Sequence, residues 1–383
     1  MANTLTNLIP DAYVALDVVS RELAGLIPSV TRDATADRAA VGQSVRSFIT
    51  PSNDAAGDIT PSMFSTGVGG AAPAADQTIT NLALTIEKQR FAPFSWTGEE
   101  EYAMDQGPGF LNIRQDQIAQ AIRTLVNDME TDIYNDAIKG ISRATGTAGT
   151  DPFATNLSDS ANARRILDDN GAPLGNRSLV INTTAGAKLR TLSQLTHANE
   201  AGSTMTLRDG ELLNVHGFSV KESAQVVDHA TSGASSTLIN KAGGYAAGAT
   251  ELIIDGGSAT ILAGDIVTIG GFDYGVKTAT ATLLTINEPG LQAAVADNAS
   301  VTVNATGPRN LALSQNAIVL ATRLPVSPSD GDQALGREVI TDPRSGISFE
   351  FVKWPGFDMN VYHVRACWGV HVLKPEHIAA IQG

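Results

Sequence analysis

Cysteine is almost absent: Cys367 is the only one in 383 residues. That excludes an internal disulfide framework and any metal site built on several thiolates, and it leaves Cys367 as a small apolar filler. Nor is there a run near the roughly 18 apolar residues that a bilayer-spanning helix needs, so no membrane partner is expected. Basic charge is short, with 26 Lys and Arg against 40 Asp and Glu and a formal charge of −14. Phosphate neutralisation takes clustered cations, so a dominant nucleic-acid-binding surface is excluded and only weak contact is compatible. In the N-terminal MANTLTNLIPDAYVAL, Asp11 breaks the apolar run, Asp17 follows directly after it, and no basic stretch precedes it. A secretory signal is not expected, which places synthesis and action in a cytoplasm.

Motifs for catalysis and for ligands are missing too. The run TGVGGAAP lacks the Lys and Ser/Thr of a phosphate loop, and no GxSxG is present. The six histidines (His197, His216, His229, His363, His371, His377) form no HExxH or other close metal pair. Glu99, Glu100 and Glu101 are consecutive, so on a helix start they point in different directions and stabilise its N-terminal dipole instead of forming an acid/base pair. Asp330 and Asp332 in SPSDGDQ lack the ligand series of a calcium loop and read as a solvated turn. No catalytic residue, cofactor or metal is expected.

What is there is a long chain with 43% hydrophobic and 17% charged residues, enough for a main body plus a smaller appended or inserted unit. Residues 10–28 read as an amphipathic helix between Pro10 and Pro28, with Val14, Val18 and Val19 near one face. The polar, aperiodic TRDATADRAAVGQ that follows suits an extended arm ordered against a neighbour. VRSFIT and ITNLALTIEKQRFAPFSW are β-like and flank a linker rich in Gly, Ala, Pro and Ser, predicting a long two-stranded excursion that cannot stand alone in water. Ile118, Ile122, Leu125, Met129, Ile133 and Ala137 recur at steps of three and four, predicting a long helix that ends at Gly140. ANARRILDDN predicts a short helix ending near Gly171, and RSLVINTTAGAKLRTL a buried strand passing through Thr183 into a helix. LNVHGFSVKES predicts a strand pair. From about Asp228 to Gly307 helical periodicity vanishes. Short β runs (TELIID, DIVTIGG, YGVKTATATLLTIN, ASVTVNAT) between Gly, Asp and Asn predict a small antiparallel barrel or sandwich inserted into an α/β-like body. NAIVLATRLP, FEFVKW and VYHVRACWGVHVL resume longer strands, and PEHIAAI is expected to close with a helix.

Taken in order, these segments resemble the major capsid (coat) proteins of tailed double-stranded-DNA bacteriophages, with the Hong Kong phage fold and a β-rich insertion. VGQSVRSFITP and LTIEKQRFAPFSWTGEEE resemble the arms of that family's extended loop, and FLNIRQDQIAQAIRTLVNDMETDIY its spine helix. RSLVINTTAGAKL and LRDGELLNVHGFSVKES resemble central segments, and AGDIVTIGGF, with a tight turn at Gly264 and Asp265, the insertion. NLALSQNAIVLATRLP, DPRSGISFEFVKWPGF and RACWGVHVLKPEHIAAI resemble its C-terminal segments.

The resemblance implies an α+β fold with six parts: an N-terminal helix and arm (1–44), an extended β loop (45–96), a peripheral domain with the spine helix (97–177), a first axial part (178–227), the inserted β domain (228–307) and a second axial and peripheral part (308–383). It implies self-assembly into hexamers and pentamers of an icosahedral head in a virion, built in the bacterial host cytoplasm. Implied partners are a scaffolding protein, a portal protein, a decoration protein and, non-specifically, packaged double-stranded DNA. No isopeptide constellation is recognisable, so locking is expected to be non-covalent.

Candidate interface residues are Arg46, Phe48, Ile49, Met63, Phe64, Lys88, Arg90, Phe91, Phe94, Glu99, Glu100 and Glu101. Arg46, Lys88 and Arg90 are expected to pair with Asp54, Asp58 or the Glu99 cluster of adjacent copies, setting register at ~0–1 kcal/mol per exposed pair. The aromatic and aliphatic members supply adhesion, or else belong to the chain's own core. The rival readings are a tail-tube or adhesion component, which has no need of a long strut helix, and a hydrolase on an α/β body, for which no Ser, His, Asp constellation is present.

Overall fold

The computed structural model describes residues 24–49, 80–105, 110–197, 210, 212, 214–328, 331–342 and 345–383, and is mostly β with few helices. The described chain opens on a 3-10 turn, Ile27–Ser29. There follow β1 (Thr31–Ala39), β2 (Ser44–Ile49), β3 (Thr80–Thr85), β4 (Lys88–Thr97), α1 (Gly98–Asp105) and α2 (Phe110–Lys139). An alternating stretch comprises β5 (Arg143–Gly146), α3 (Ser158–Asp169), β6 (Arg177–Ile181), α4 (Thr183–Thr191), α5 (Ser193–Thr196), β7 (Ser219–Glu222) and β8 (Asp228–His229). An all-β stretch comes next: β9 (Thr237–Ile239), β10 (Glu251–Asp255), β11 (Ile266–Ile269), β12 (Phe272–Ala279), β13 (Leu283–Ile286) and β14 (Ser300–Val303). The chain ends with β15 (Gly307–Ser314), β16 (Ile318–Pro325), β17 (Gly336–Thr341), β18 (Ser348–Pro355), β19 (Met359–Val372) and β20 (Ile378–Gln382).

Helix α2 forms where the three-and-four spacing predicts it, and all six periodic residues are buried. At ~1.5 Å per residue its 30 residues span roughly 45 Å. It stops at Gly140, whose N–H donates to the carbonyls of Asp136 (3.2 Å) and Ala137 (3.0 Å). A Cβ there would stand 2.7 Å from Val372 Cγ1, so glycine also lets the helix end close against β19. The helix lies on a six-stranded sheet ordered β1-β16-β19-β18-β17, with β4 along the other side of β19. Strand β19 organises this sheet: its 14 residues pair with β4 from Met359 to Trp368, with β18 from Asn360 to Arg365 and with β16 from Cys367 to Val372. Trp96, Leu125, Met129, Phe349 and Trp368 fill the interface between helix and sheet.

A second layer joins β5, β20, β15, β6 and β7. Phe153, Ile166, Leu167, Leu179, Leu189 and Phe218 form its separate core, against which α3 and α4 pack. Asn182 caps α4 by accepting from Ala185 N at 2.8 Å.

Strands β9 to β14 pair in the order β11-β14-β9-β10-β13-β12, and β11 also pairs with β12, so the six antiparallel strands close into a ring with a core of its own. Closure leaves no open edge, which suits short strands poor in long side chains. The alternation in β10, exposed at Glu251, Ile253 and Asp255 and buried at Leu252 and Ile254, sets which face lines the ring. Chain leaving the body at His229 returns at Gly307, and the two are partners in the β8–β15 pairing.

Four expectations are corrected. PEHIAAI is not a helix: Pro375–His377 is a 3-10 turn, and Ile378–Gln382 is a fully buried strand between β5 and β15. The run is simply too apolar on every side for a surface helix. The polar stretch from Thr31 is ordered within its own chain, as β1 parallel to β16. Residues 88–96, expected in the loop, form most of β4 in the body sheet, because Lys88–Thr97 pairs along β19 whereas the ribbon strand ends at Thr85. LNVHGFSVKES gives a single bridge, Val215 with Phe218, and one strand, β7, which runs parallel to β6. Of the helix expected over 10–28, residues 1–23 lie outside the described residues.

Candidate assembly surfaces

Among the described residues β2 and β3 pair only with each other, from Ser44↔Thr85 to Ile49↔Thr80. The root of this ribbon is fixed. Ile86 is 0% exposed against Ala39, Ala321 and Cys367. Gly42 N donates to Ile86 O (2.9 Å), Ile86 N to Gln43 O (3.0 Å) and Glu87 N to Trp368 O (3.1 Å). His371 Nε2 lies 3.0 Å from Thr85 O. A Cβ on Gly369 would sit 2.0 Å from Thr85 O, so only glycine lets the ribbon's backbone settle on β19. Cys367 is the apolar filler expected, and burial pushes its thiol up to about 11.

Next to this root β4 is held on α2 by charge. Lys88 pairs with Asp132, which also accepts from Trp368 Nε1 at 2.7 Å, and Arg90 Nη1 lies 3.0 Å from Asp128. Two of the three cations expected to reach acidic groups of adjacent copies, Lys88 and Arg90, thus have acidic partners on α2 of their own chain. Phe94 is stacked on Tyr362 (5.2 Å between centroids) and belongs to the interior, whereas Phe91 is 57% exposed and leans on His363 at 4.7 Å. Between β4 and the first half of α2 lies a groove of about 510 Å³ whose lining includes Phe91, Phe94, Ile113, Gln117 and Ala121.

Glu99, Glu100 and Glu101 occupy the first turn of α1. Thr97 N donates to Glu100 Oε2 (2.9 Å) and Glu100 N to Thr97 Oγ1 (3.3 Å), a reciprocal capping box. The bonds from Thr97 hold the Glu100 carboxyl below its ordinary value. On β2, Arg46, Phe48 and Ile49 take register with Ala83, Asn81 and Thr80; Met63 and Phe64 lie outside the described residues.

Two buried carboxylates tie the arm-like N-terminal part to the body, and nothing in residue spacing marks them. Glu130 of α2 is 1% exposed and accepts from Leu26 N (3.0 Å), Ile27 N (2.6 Å) and Ser223 Oγ (2.8 Å). Burial raises its carboxyl, against the pull of those bonds. Glu350 of β18, 0% exposed, meets Arg38 of β1 and Arg365 of β19, each at 2.6 Å, and Arg337 of β17 at 3.6 Å. The only sequence signal for either was an acidic residue inside an apolar pattern.

The turn into the ring is a third such knot. Gly264 takes φ +91°, and Asp265 accepts from His229 Nε2 (3.0 Å), Leu262 N (2.9 Å) and Ser232 N (3.3 Å). Burial pushes the Asp265 carboxyl up, but these donors outweigh it and hold it below the ordinary range. A depressed folded-state value means the contribution is present above the unfolded value of about 4 and is lost as pH falls through the folded one. Asp265→Asn is therefore expected to lower Tm at pH 6 and to converge on the parent in thermal scans as pH falls through the depressed folded-state value. A gap that persists at low pH would assign the effect to shape alone.

Among the described residues no group of three or more His, Cys, Asp or Glu is placed to hold a metal ion, and no helix is long and apolar enough to cross a membrane. His216 lies 2.9 Å from Ser160 Oγ, and His377 is buried. Asp332 pairs with Arg337.

No family model and no curated protein matches the chain. Similar solved structures include one described as Mycobacterium phage Che8 (14% identity, 89% of this chain and 84% of that one, TM-score 0.46). Another is the capsid of the cyanophage P-SCSP1u (13% identity, 92% and 86%, TM-score 0.48). A third is a virus-like particle from Pyrococcus furiosus (11% identity, 98% and 99%, TM-score 0.45).

Proposed function

We propose that this chain is a phage major capsid protein, a non-enzymatic subunit that assembles into the hexamers and pentamers of an icosahedral head enclosing double-stranded DNA. The observation that carries the reading is the β2–β3 ribbon, firmly rooted at Ile86 yet without a third strand among the described residues. A two-stranded ribbon is marginal alone in water, so its outer length gains order by lying on a sister subunit. Burial at ~25 cal/mol per Å², over interfaces of about 1,200–2,000 Å² or more, makes many such contacts a pressure-resistant shell, and ring closure supplies cooperativity.

In this reading the sheet crossed by α2 is the peripheral domain, and the layer of β5, β20, β15, β6 and β7 is the axial domain. The ring is an inserted domain, supported by the side-by-side departure and return at His229 and Gly307. The exposed Phe91 and the groove beside it, together with Arg46, Phe48, Ile49, Met63 and Phe64, form the contact surface. Scaffolding, portal and decoration proteins are its further partners, and it acts in a virion assembled in the host cytoplasm. The long α2 speaks against a tail-tube subunit, which has no need of a strut. The purified protein, mixed with its scaffolding partner, should give closed particles in negative-stain electron microscopy. A protein that stays monomeric and yields no particles would end the proposal.

A further inference from the structure

Where the ring meets the body, Arg143 of β5 and Arg165 of α3 line one concavity of about 210 Å³ with Thr145, Gly271, Asp273 and Gln292. In a chain of net charge −14, eight described arginines have a carboxylate within ion-pair distance, but these two do not. Arg143 has a neutral acceptor instead, since the Gln292 side-chain oxygen, oriented to satisfy both amide atoms, faces all three guanidinium nitrogens, Nε at 2.9 Å, Nη2 at 3.3 Å and Nη1; a phosphate would take that oxygen's place. Burial lowers the Arg143 guanidinium from its ordinary value; Asp169 and Tyr274 draw on it from a distance, and the like charge of Arg165 works against it. Asp273 also lines the concavity but forms no ion pair with either guanidinium; its oxygens are turned to Thr268 Oγ1 and Gln382 Nε2 (3.0 Å), and its charge is the one lining group that opposes an anion. The rim is kept open by the two-residue turn of the β11–β12 hairpin, where Gly270 and Gly271 have φ of 60° and 84° and nothing stands within 4 Å of a Cβ built on Gly271.

We propose that this concavity binds a phosphate group, bridged by the two guanidiniums and steadied by the Thr145 hydroxyl. Two like charges brought to one recess by different elements, Arg143 half-buried and Arg165 exposed at the rim, repel until an anion sits between them, and planar guanidinium forks match phosphate oxygens. The phosphate is either free inorganic phosphate or one group of a nucleic-acid backbone, and the two are separable by experiment.

The test titrates the full-length protein with inorganic phosphate by calorimetry at constant ionic strength, then repeats it with a short duplex DNA as competitor. Arg165 is exposed, so Arg165→Ala leaves the fold intact, and it should weaken phosphate binding about tenfold or more. Arg143→Lys, which keeps the charge but loses the fork, should weaken it less. Competition by the duplex, lost in Arg165→Ala, assigns the site to the backbone of nucleic acid; phosphate binding without competition assigns it to free phosphate. No measurable binding, or equal binding by the parent and Arg165→Ala, would overturn the proposal. Because the site shares no residue with the β2–β3 ribbon, particles that form normally without binding phosphate would reject this site alone and leave the shell reading standing.

Discussion

Glu350→Ala is expected to cost about 3–5 kcal/mol of unfolding free energy, the usual penalty for removing one partner of a buried ion cluster. The carboxylate is fully buried and serves three guanidiniums from three strands. Without it Arg337 keeps Asp332, and Arg38 keeps the Pro325 carbonyl (2.5 Å) and Ser327 Oγ (3.0 Å). Arg365 keeps nothing comparable, since its Nη2 already lacks a partner. The loss falls on β1, whose outer end reaches the body sheet through Arg38, so tryptic cleavage at Arg38 should accelerate well beyond the global change. Glu350→Gln, which preserves size and one acceptor, should cost about 1–3 kcal/mol. Urea denaturation with an unchanged m-value measures both. A loss below about 1 kcal/mol for Glu350→Ala would mean that water reaches the guanidiniums and that the cluster does not fasten the arm.

How far the fold was legible follows from which residues speak locally. The apolar steps of α2 are a periodic signal within one element and were readable, as was the strand-to-helix passage at Thr183, although the residue that caps α4 is the preceding Asn182. So was the Gly264–Asp265 turn, because positive φ favours glycine wherever it occurs. What could not be read depends on distant partners. β1 looks like a disordered arm because its polarity is answered by Arg323, Glu350 and a parallel neighbour nearly 300 residues away. PEHIAAI looks helical until its burial between two strands is known. Lys88 and Arg90 read as intermolecular cations because Asp132 and Asp128 sit some 40 residues on, on a helix face that spacing alone does not align with β4. Of the candidate surface, the ribbon was evident from composition. Its root was not, since that depends on a single glycine opposite it.

Gly369→Val is expected to abolish particle formation while leaving the body folded. The new Cβ would stand 2.0 Å from Thr85 O, 3.0 Å from Thr85 C and 3.3 Å from Ile86 Cα, all backbone atoms that no rotamer change can clear. Relief requires lifting the ribbon off β19, which exposes Ile86, worth about 1.5–3 kcal/mol of apolar burial, and breaks the Glu87 N to Trp368 O bond. The sheet itself need not move, because β19 keeps its pairing to β16, β18 and β4. An unchanged circular dichroism spectrum and an unfolding free energy lowered by no more than a few kcal/mol should accompany the loss of particles. Hydrogen exchange should quicken at Ile86 and Glu87 first, as expected for a local opening with a smaller free energy than global unfolding. The converse separates ribbon placement from fold stability. Cys367→Ser weakens the same small cluster by placing a hydroxyl among apolar neighbours, but adds no bulk against the ribbon's backbone, so it should destabilise modestly and still assemble. If both variants assembled equally well, the seating of the ribbon on β19 would not matter to the shell, and the structural basis for reading this chain as a capsid subunit would be lost.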